Sequence, residues 1–412
     1  MPMPCQPGVR REAVVVGYDV VIGVDVGKHT HHACALDVEG ERLLDQEVDA
    51  SETAMREVFE SACRYGEALV VVDQLHSIGA LAVTLAQSMG LDVAYLPGLS
   101  MRRLADLHPG KSKTDARDAF IIADAARTAP QSLRRLTLPH EAQAELSMLL
   151  GYDDDLAGQV TAAINRLRGL LVHIHPSLEK ALAENISHEA VLHLLIKTGG
   201  PAGMTSWSKT RIDKQLAKHA PRMHARLAED IWAALQSQTV TVPGTSAAAK
   251  VIPGLAEQIL QLRNQRAAIN RDVERVLDDH PLTQILTSMP GIGVKIAARI
   301  LAETGGTITA FPTAAHLAAY AGLAPVTRRS GSSIRGEHVN RGGNKRLKNA
   351  LFMAAFTSLR ADPTSRAYYD RKRAQGKRHN AALICLARRK TDVLFAMLRD
   401  HQPYTPSIPA AA

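Results

Sequence analysis

The sequence predicts an α/β N-terminal domain built on a mixed sheet, followed by a long, mainly helical remainder. Three observations predict it. The β-branched runs DVVIGVDV (19–26) and EALVVVD (67–73) have the composition of buried strands. From about Leu138 the apolar pattern turns helical and stays so. Aromatics make up only 4% of the 412 residues, while Ala and Leu are abundant, a composition that leans helical.

The elements follow in order. Residues 19–26 read as a buried strand, and Thr30–Val38 and Glu41–Val48 as two more, joined by a tight turn at Glu39-Gly40. Ser51 N-caps a helix reaching about Tyr65, and 67–73 form a central parallel strand. A helix over Ile78–Met89, a strand over Leu91–Leu96 and two further helices complete the domain, the last spanning about Ser112–Thr128. The order βββαβαβ followed by helices is that of a ribonuclease H-like fold. Beyond it, Leu149, Leu156, Ala163 and Leu170 recur at seven, with Leu146, Val160, Leu167 and Ile174 beside them and Asp153 interrupting that second series. This heptad pattern predicts a helical hairpin or coiled-coil arm. Residues 199–209 and 239–254, rich in Gly, Pro, Ser and Thr, read as loops, and Leu255–Asp279 as a second long helix. The expected organisation is a tail (1–18), the α/β domain (19–135), the helical arm (136–280), a mainly helical C-terminal domain (281–400) and a disordered tail (401–412).

Composition narrows the function. The four cysteines, Cys5, Cys34, Cys63 and Cys385, form no CxxC pair, which argues against a disulfide framework or zinc knuckle and fits a reducing cytoplasm. No apolar run is long enough for a membrane span. The net charge is +8, yet Tyr320–Arg378 alone holds 14 Lys/Arg against 3 Asp/Glu. One region therefore carries the whole basic excess, which is the footprint of a polyanion partner or, failing that, a solvated basic face.

Two constellations carry candidate chemistry. Asp25 and Asp73 fall at the ends of the first and fourth strands, and Asp115 and Asp118 share one face of a helix at i, i+3. In the expected sheet these four meet at one edge. Clustered carboxylates are costly unless cations neutralise them, and two Mg²⁺ ions would suit phosphodiester chemistry. Singly, each is as well explained as a strand-end or helix-N-terminal acid. His29, His31 and His32 read as a partly exposed strand face. The second constellation begins with Met289-Pro290-Gly291-Ile292-Gly293 between two short helices, a helix-hairpin-helix pattern in which Gly291, Gly293 and Lys295 would meet a nucleic-acid backbone; a plain helical turn is the alternative. It continues through Arg328, Arg329, Ser330, Arg335, Arg341, Lys345, Arg346 and Lys348. A serine among arginines and glycines suits either attack on a phosphodiester or a flexible phosphate-binding loop.

Three stretches resemble the DEDD transposases of the insertion-sequence one-hundred-and-ten family, relatives of the Piv DNA invertases. They are Val21-Ile22-Gly23-Val24-Asp25-Val26-Gly27-Lys28, Lys113-Thr114-Asp115-Ala116-Arg117-Asp118-Ala119, and the run from Ser288 through Gly322-Leu323-Ala324-Pro325 and Ser330-Gly331 to Arg341-Gly342-Gly343-Asn344-Lys345-Arg346-Leu347. Asn165–Leu171 resembles the family's linker helix. The resemblance spans about 19–360. It implies a RuvC-like domain whose acidic tetrad is Asp25, Asp73, Asp115 and Asp118, and a C-terminal domain whose catalytic serine is Ser330. It also implies donor and target DNA as substrates, a structured guide RNA, and a homodimer or tetramer in which serine and metal site meet between subunits. The family's second acid is usually Glu, and here it is Asp73; Glu67 lies at the wrong end of that strand. Ser332 and Ser333 are neighbouring candidates for the nucleophile. The readings left beside this one are a RuvC-like endonuclease or junction resolvase, a DNA invertase without guide RNA, and a non-catalytic nucleic-acid-binding protein.

Overall fold

The computed structural model describes residues 17–74, 77–108, 114–136, 141–278, 280–305, 308, 311–330, 334–338, 340 and 342–406. The chain divides into two compact units, 1–138 and 139–412.

The first unit is a mixed sheet with helices. Its elements are β1 (Val20–Asp25), β2 (Thr30–Asp37), β3 (Arg42–Asp49), α1 (Glu52–Cys63), β4 (Ala68–Val72), α2 (Ala80–Ser88), β5 (Asp92–Tyr95), α3 (Gly98–Ala105), α4 (Asp115–Thr128) and β6 (Arg134–Leu136). The sheet order is β3-β2-β1-β4-β5-β6. β1 runs parallel to β4 and antiparallel to β2, and β4 runs parallel to β5. This mixed α/β arrangement is consistent with the expected ribonuclease H-like fold. β4 is buried at every position because apolar layers cover both faces: Val70 and Val72 pack with α1 and α2 residues, Leu69 and Val71 with α4 residues. The sequence reading missed β6, which joins β5 antiparallel. It has three residues, two of them arginine, so backbone pairing alone marks it as a strand.

The second unit is almost wholly helical. It contains α5 (Glu141–Ile174), α6 (Pro176–Leu182), α7 (Glu189–Thr198), α8 (Pro201–Met204), α9 (Lys209–Ala217), α10 (His224–Ser237), α11 (Thr245–Asp278), α12 (Leu282–Ser288), α13 (Val294–Thr304), α14 (Ala314–Tyr320), a hairpin of β7 (Val326–Ser330) and β8 (Ile334–His338), then α15 (Lys345–Ala361), α16 (Pro363–Ala374) and α17 (His379–Asp400). The helices α5 and α11 lie antiparallel. Leu146 and Leu150 share a core with Val273 and Leu277, whereas Leu167 and Leu171 share another with Ile252 and Ala256. Much of the heptad pattern is therefore consumed inside the chain. The interrupting Asp153 accepts two hydrogen bonds from Arg266 of α11, at 2.8 and 3.0 Å. That guanidinium holds the Asp153 carboxyl below its usual range.

Three of the expected loop and tail segments turn out otherwise, at least in part. Within 199–209, residues 201–204 form the short helix α8 and Lys209 begins α9. Residues 245–254 are not a loop but the first turns of α11, with Pro253 inside the helix. An internal proline costs about 3 kcal/mol, but Ala248, Ile252, Ala256 and Ile259 form a buried stripe on the same helix, and burying such side chains outweighs it. The tail expected from 401 begins with a docked aromatic. Tyr404 packs against the C-terminal core, and its backbone N–H donates to Ser288 Oγ at 2.8 Å.

Candidate active site

The sheet brings Asp25 and Asp73 side by side. β1 and β4 are parallel with Val24 opposite Val72, so Asp25 ends one strand where Asp73 follows the other. Along β1, Val20, Ile22 and Val24 face one core while Val21 and Gly23 face α4, and strand alternation puts Asp25 on the α4 side. Gly23 lets α4 come that close. A Cβ there would stand 2.3 Å from the Ala119 carbonyl oxygen and 2.4 Å from the Ala123 nitrogen. Asp118 precedes Ala119 by one residue, and its negative charge is felt at Asp73. The first turn of α4 therefore lies over the carboxyl ends of β1 and β4.

That turn is well anchored. Thr114 caps it, its hydroxyl accepting the Arg117 N–H at 3.3 Å. The Arg117 guanidinium donates to the carbonyls of Ala105 and His108 at 3.3 and 3.1 Å, tying α4 to the end of α3. Asp118 is half-buried, and Asp115, one turn earlier, is exposed.

Asp73 is perturbed by its surroundings. Burial pushes its carboxyl above the usual range, and the charge of Asp118 pushes the same way, against stabilising hydrogen bonds from the backbone N–H groups of Asp73 and Val26. Its Oδ1 is buried with no hydrogen-bond partner. A desolvated, orphaned carboxylate oxygen beside a second carboxylate fits a bound cation. No three of the four aspartates, however, hold donor atoms within 4.8 Å of one another; among the described residues only Glu189, His193 and His219 do.

The histidines correct the sequence reading. His31 is buried rather than partly exposed; its Nδ1 accepts the Gly27 N–H at 3.2 Å. Burial lowers its pKa, so the ring is a neutral acceptor that fixes the turn following Asp25. His32 pairs with Asp45 at 2.7 Å, and His29 is exposed. Nothing in the spacing of three histidines distinguishes the one that turns inward.

Gly23→Ala tests this construction without touching an acid. The added methyl meets helix backbone, which cannot yield as a side chain would, so α4 must shift. We expect a loss of about 1–3 kcal/mol in stability and a fall in strand cleavage of about 100-fold, the scale set by a misplacement of about 1 Å. Unchanged melting temperature and cleavage would show that α4 does not position the site.

In the second unit, Gly322-Leu323-Ala324-Pro325 and Gly342-Gly343-Asn344 dock together. A Cβ on Gly322 would stand 2.4 Å from the Gly342 carbonyl oxygen, and Gly343 has φ +86°. Asn344 caps α15 through Leu347 N–H and donates from Nδ2 to Glu303 at 2.7 Å and to the Tyr320 hydroxyl at 3.1 Å. Sequence reasoning missed Glu303 and Tyr320, because their partners lie far off in the chain. The two docked motifs frame the β7–β8 hairpin, in which Arg328 pairs with Gly336, Arg329 with Arg335, and Ser330 with Ile334. Ser330 is thus the last paired residue before the hairpin tip. Ser332, Ser333 and Arg341 lie outside the described residues, as do the side chains of Arg328, Arg329, Ser330 and Arg335.

The other basic candidates divide. Lys295 and Lys345 are exposed, Arg346 pairs with Asp154 at 3.2 Å, and Lys348 donates to the Asn340 carbonyl at 3.2 Å. Gly293 is open at the start of α13, with no atom within 4 Å of an added Cβ. Gly291 is packed instead: a Cβ would stand 2.2 Å from the Ala354 carbonyl oxygen, and the Gly291 carbonyl accepts from the Thr357 hydroxyl at 2.8 Å. Its glycine thus serves close contact with α15. Replacing Arg341 and Lys345 with Ala should lower the slope of log K against log salt by about 2, near one unit for each phosphate no longer neutralised. Arg346, already paired with Asp154, should contribute less. Fluorescence anisotropy with labelled DNA across a salt series measures this, and an unchanged slope would reduce the basic excess to a solvated face.

Comparison with known proteins yields two family models and several close relatives. A transposase family model of the DEDD IS110 type matches residues 22–176, and a model of the transposase IS116/IS110/IS902 family matches 283–370. The chain is 51% identical over 392 residues to the 43.6 kDa protein of insertion element IS110 from Streptomyces coelicolor, covering 95% of this chain and 96% of the relative. It is 36% identical over 393 residues to the 42 kDa protein of insertion element IS900 from Mycobacterium paratuberculosis, covering 95% and 98%. It is 34% identical over 388 residues to the 44.8 kDa protein of insertion element IS116 from Streptomyces clavuligerus, covering 94% and 96%.

Proposed function

The chain belongs to the IS110 family of transposases, and we propose that it moves an insertion element by divalent-cation-dependent cleavage and rejoining of DNA, with Ser330 taking the cut end. The observation that carries this reading is the Asp73 carboxylate, desolvated and left with an orphaned oxygen beside Asp118 at the sheet edge that Asp25 also reaches.

Asp25, Asp73, Asp115 and Asp118 are the residues that would hold the cations, Mg²⁺ being the expected ion. Bound there, such ions supply positive charge to a phosphodiester and ease the build-up of charge on its attacking and leaving oxygens. Asp73 reaches about one methylene less than the Glu common in the family, so its strand-end anchoring by the Val26 N–H fixes how far it extends.

In the first step the Ser330 oxygen attacks phosphorus. A seryl–phosphate bond forms, one phosphorus–deoxyribose oxygen bond breaks, and the serine proton leaves as the deoxyribose hydroxyl is released. In the second step a deoxyribose hydroxyl of another strand attacks the seryl phosphodiester and restores the serine. One phosphodiester is lost and one regained, so no energy-rich co-substrate is needed. Arginines beside the serine suit holding the phosphate, since a guanidinium offers paired donors to its oxygens.

DNA is the substrate, and the basic region is suited to its backbone. A structured RNA encoded by the element is the further partner the family resemblance implies. Sequencing nucleic acid co-purified with the expressed chain tests that. The reaction is tested by incubating purified chain and any such RNA with labelled element-end DNA, with Mg²⁺ or EDTA. Metal-dependent strand joining supports the proposal. Cleavage that yields only hydrolysed ends points to a resolvase-type nuclease instead.

A further inference from the structure

We propose that Glu189, His193 and His219 form a second metal site, one that takes a single transition-metal dication of the zinc type and is chemically distinct from the aspartate set. Glu189 and His193 are one helical turn apart on α7, and His219 lies just beyond the end of α9. Glu189 Oε1 is 2.9 Å from His219 Nδ1 and 3.7 Å from His193 Nε2. All three donor atoms lie within 4.8 Å of one another. Donors bonded to tetrahedral zinc at about 2.0–2.1 Å are separated by roughly 3.3 Å. The two separations bracket that value, so the donors lie close enough for one ion once a histidine side chain rotates.

The imidazole rings stack, with centroids 4.1 Å apart and planes 20° from parallel. Both ring nitrogens approach the same Glu189 oxygen, and because an imidazole lone pair lies in its ring plane, one ring must turn out of the stack for both to meet a single ion. Two imidazoles and one carboxylate select zinc, cobalt or nickel over magnesium, which prefers oxygen donors.

The scaffold beneath is rigid. Val191, Leu194 and Leu195 of α7 and Ile212 and Leu216 of α9 are fully buried in one core. Lys197 of α7 donates to the buried Gln215 of α9 at 3.1 Å. The other nearby histidines are otherwise engaged: His188 caps α7 by accepting the Ala190 N–H, and His224 pairs with Asp213 at 2.6 Å. The three candidate ligands keep side-chain exposures of 57%, 34% and 29%, which leaves water access to the remaining coordination positions. His193 also lines an open groove of about 680 Å³ with Ile196, Glu257, Leu260 and Gln261, a route of entry. A bound ion would cross-link α7 to the segment that follows α9.

The test uses untagged full-length chain, stripped with EDTA and titrated with Co²⁺ in excess Mg²⁺. Visible d–d absorption should saturate near one equivalent and be displaced by Zn²⁺. The same bands should persist in the Asp25→Ala, Asp118→Ala double variant, which separates this site from the proposed catalytic one. Loss of an outer-shell partner typically weakens a metal site about 10–100-fold, so His193→Ala and His219→Ala should each cost at least that. Glu189→Gln keeps size and removes charge, and should weaken binding in the same direction. Circular dichroism checks that each variant is folded. Absence of saturable Co²⁺ binding in the unmodified chain would overturn the proposal, leaving Glu189 and the histidines as an ion pair. Binding unchanged in folded His219→Ala would also overturn it.

Discussion

Asp118→Ala is expected to abolish strand cleavage, by about a thousandfold or more, while changing DNA binding by less than about twofold. Asp118 is half-buried in the first turn of α4 and faces Asp73 closely enough to help raise that carboxyl above its usual range. Its replacement removes repulsion from the metal-free protein, so the fold should tolerate it. The cost is the loss of a favourable acid at a helix N-terminus, about 0.3–1 kcal/mol. The Thr114 cap and the Arg117 anchor survive the change. What disappears is the charge that would hold a cation against Asp73 and Asp25. Asp25→Ala should behave alike, with Asp115→Ala following if its exposed carboxylate is drawn in by the ion. Gel-shift and cleavage assays on one preparation separate binding from chemistry. Full cleavage by Asp118→Ala in Mg²⁺ would contradict the metal assignment.

The strands that carry the acids were legible because they are buried on both faces. β1 and β4 are nearly continuous apolar runs, and no amphipathic helix reads that way. The i, i+3 pair on α4 was legible for the same local reason. The approach of α4 was not, since a glycine in a strand signals a close contact without naming the partner. Gly23 found its partner in Ala119 and Ala123 only when the sheet was assembled.

The second unit shows the same division. The heptad leucines of α5 announced a long helix, but periodicity does not say whether the partner lies in the same chain. Here α11 supplies much of it, and Arg266 explains the Asp153 that broke the pattern. Pro253 and Gly254 made the start of α11 look like a loop because propensity is local and burial is not. The cluster of Asn344, Tyr320 and Glu303 joins residues up to 41 positions apart, and the Glu189–His193–His219 group needs α7 packed on α9. Neither leaves a trace in spacing alone.

Ser330→Ala should bind DNA normally yet form no covalent protein–DNA adduct. A serine hydroxyl is a weak nucleophile at neutral pH and needs activation. No His or Asp adjoins Ser330 in sequence, and its neighbours Arg328 and Arg329 are suited to clamping phosphate. Help must come from elsewhere in the fold, and the acidic constellation is the candidate, which gives one chain a reason to carry both. Ser330 closes the paired part of the hairpin, opposite Ile334. Ser332 and Ser333 follow it in sequence, and Ser330 is the serine whose backbone the ladder pairs. Ser332→Ala and Ser333→Ala should accordingly keep most of the adduct.

A denaturing gel of chain incubated with labelled element-end DNA, and any co-purified RNA, reads this directly. A slow-migrating band should form in Mg²⁺, fail in EDTA, and be absent from both Ser330→Ala and Asp118→Ala. An adduct that survives in Ser330→Ala, or that forms equally well in EDTA, would contradict the joint action of the serine and the aspartates.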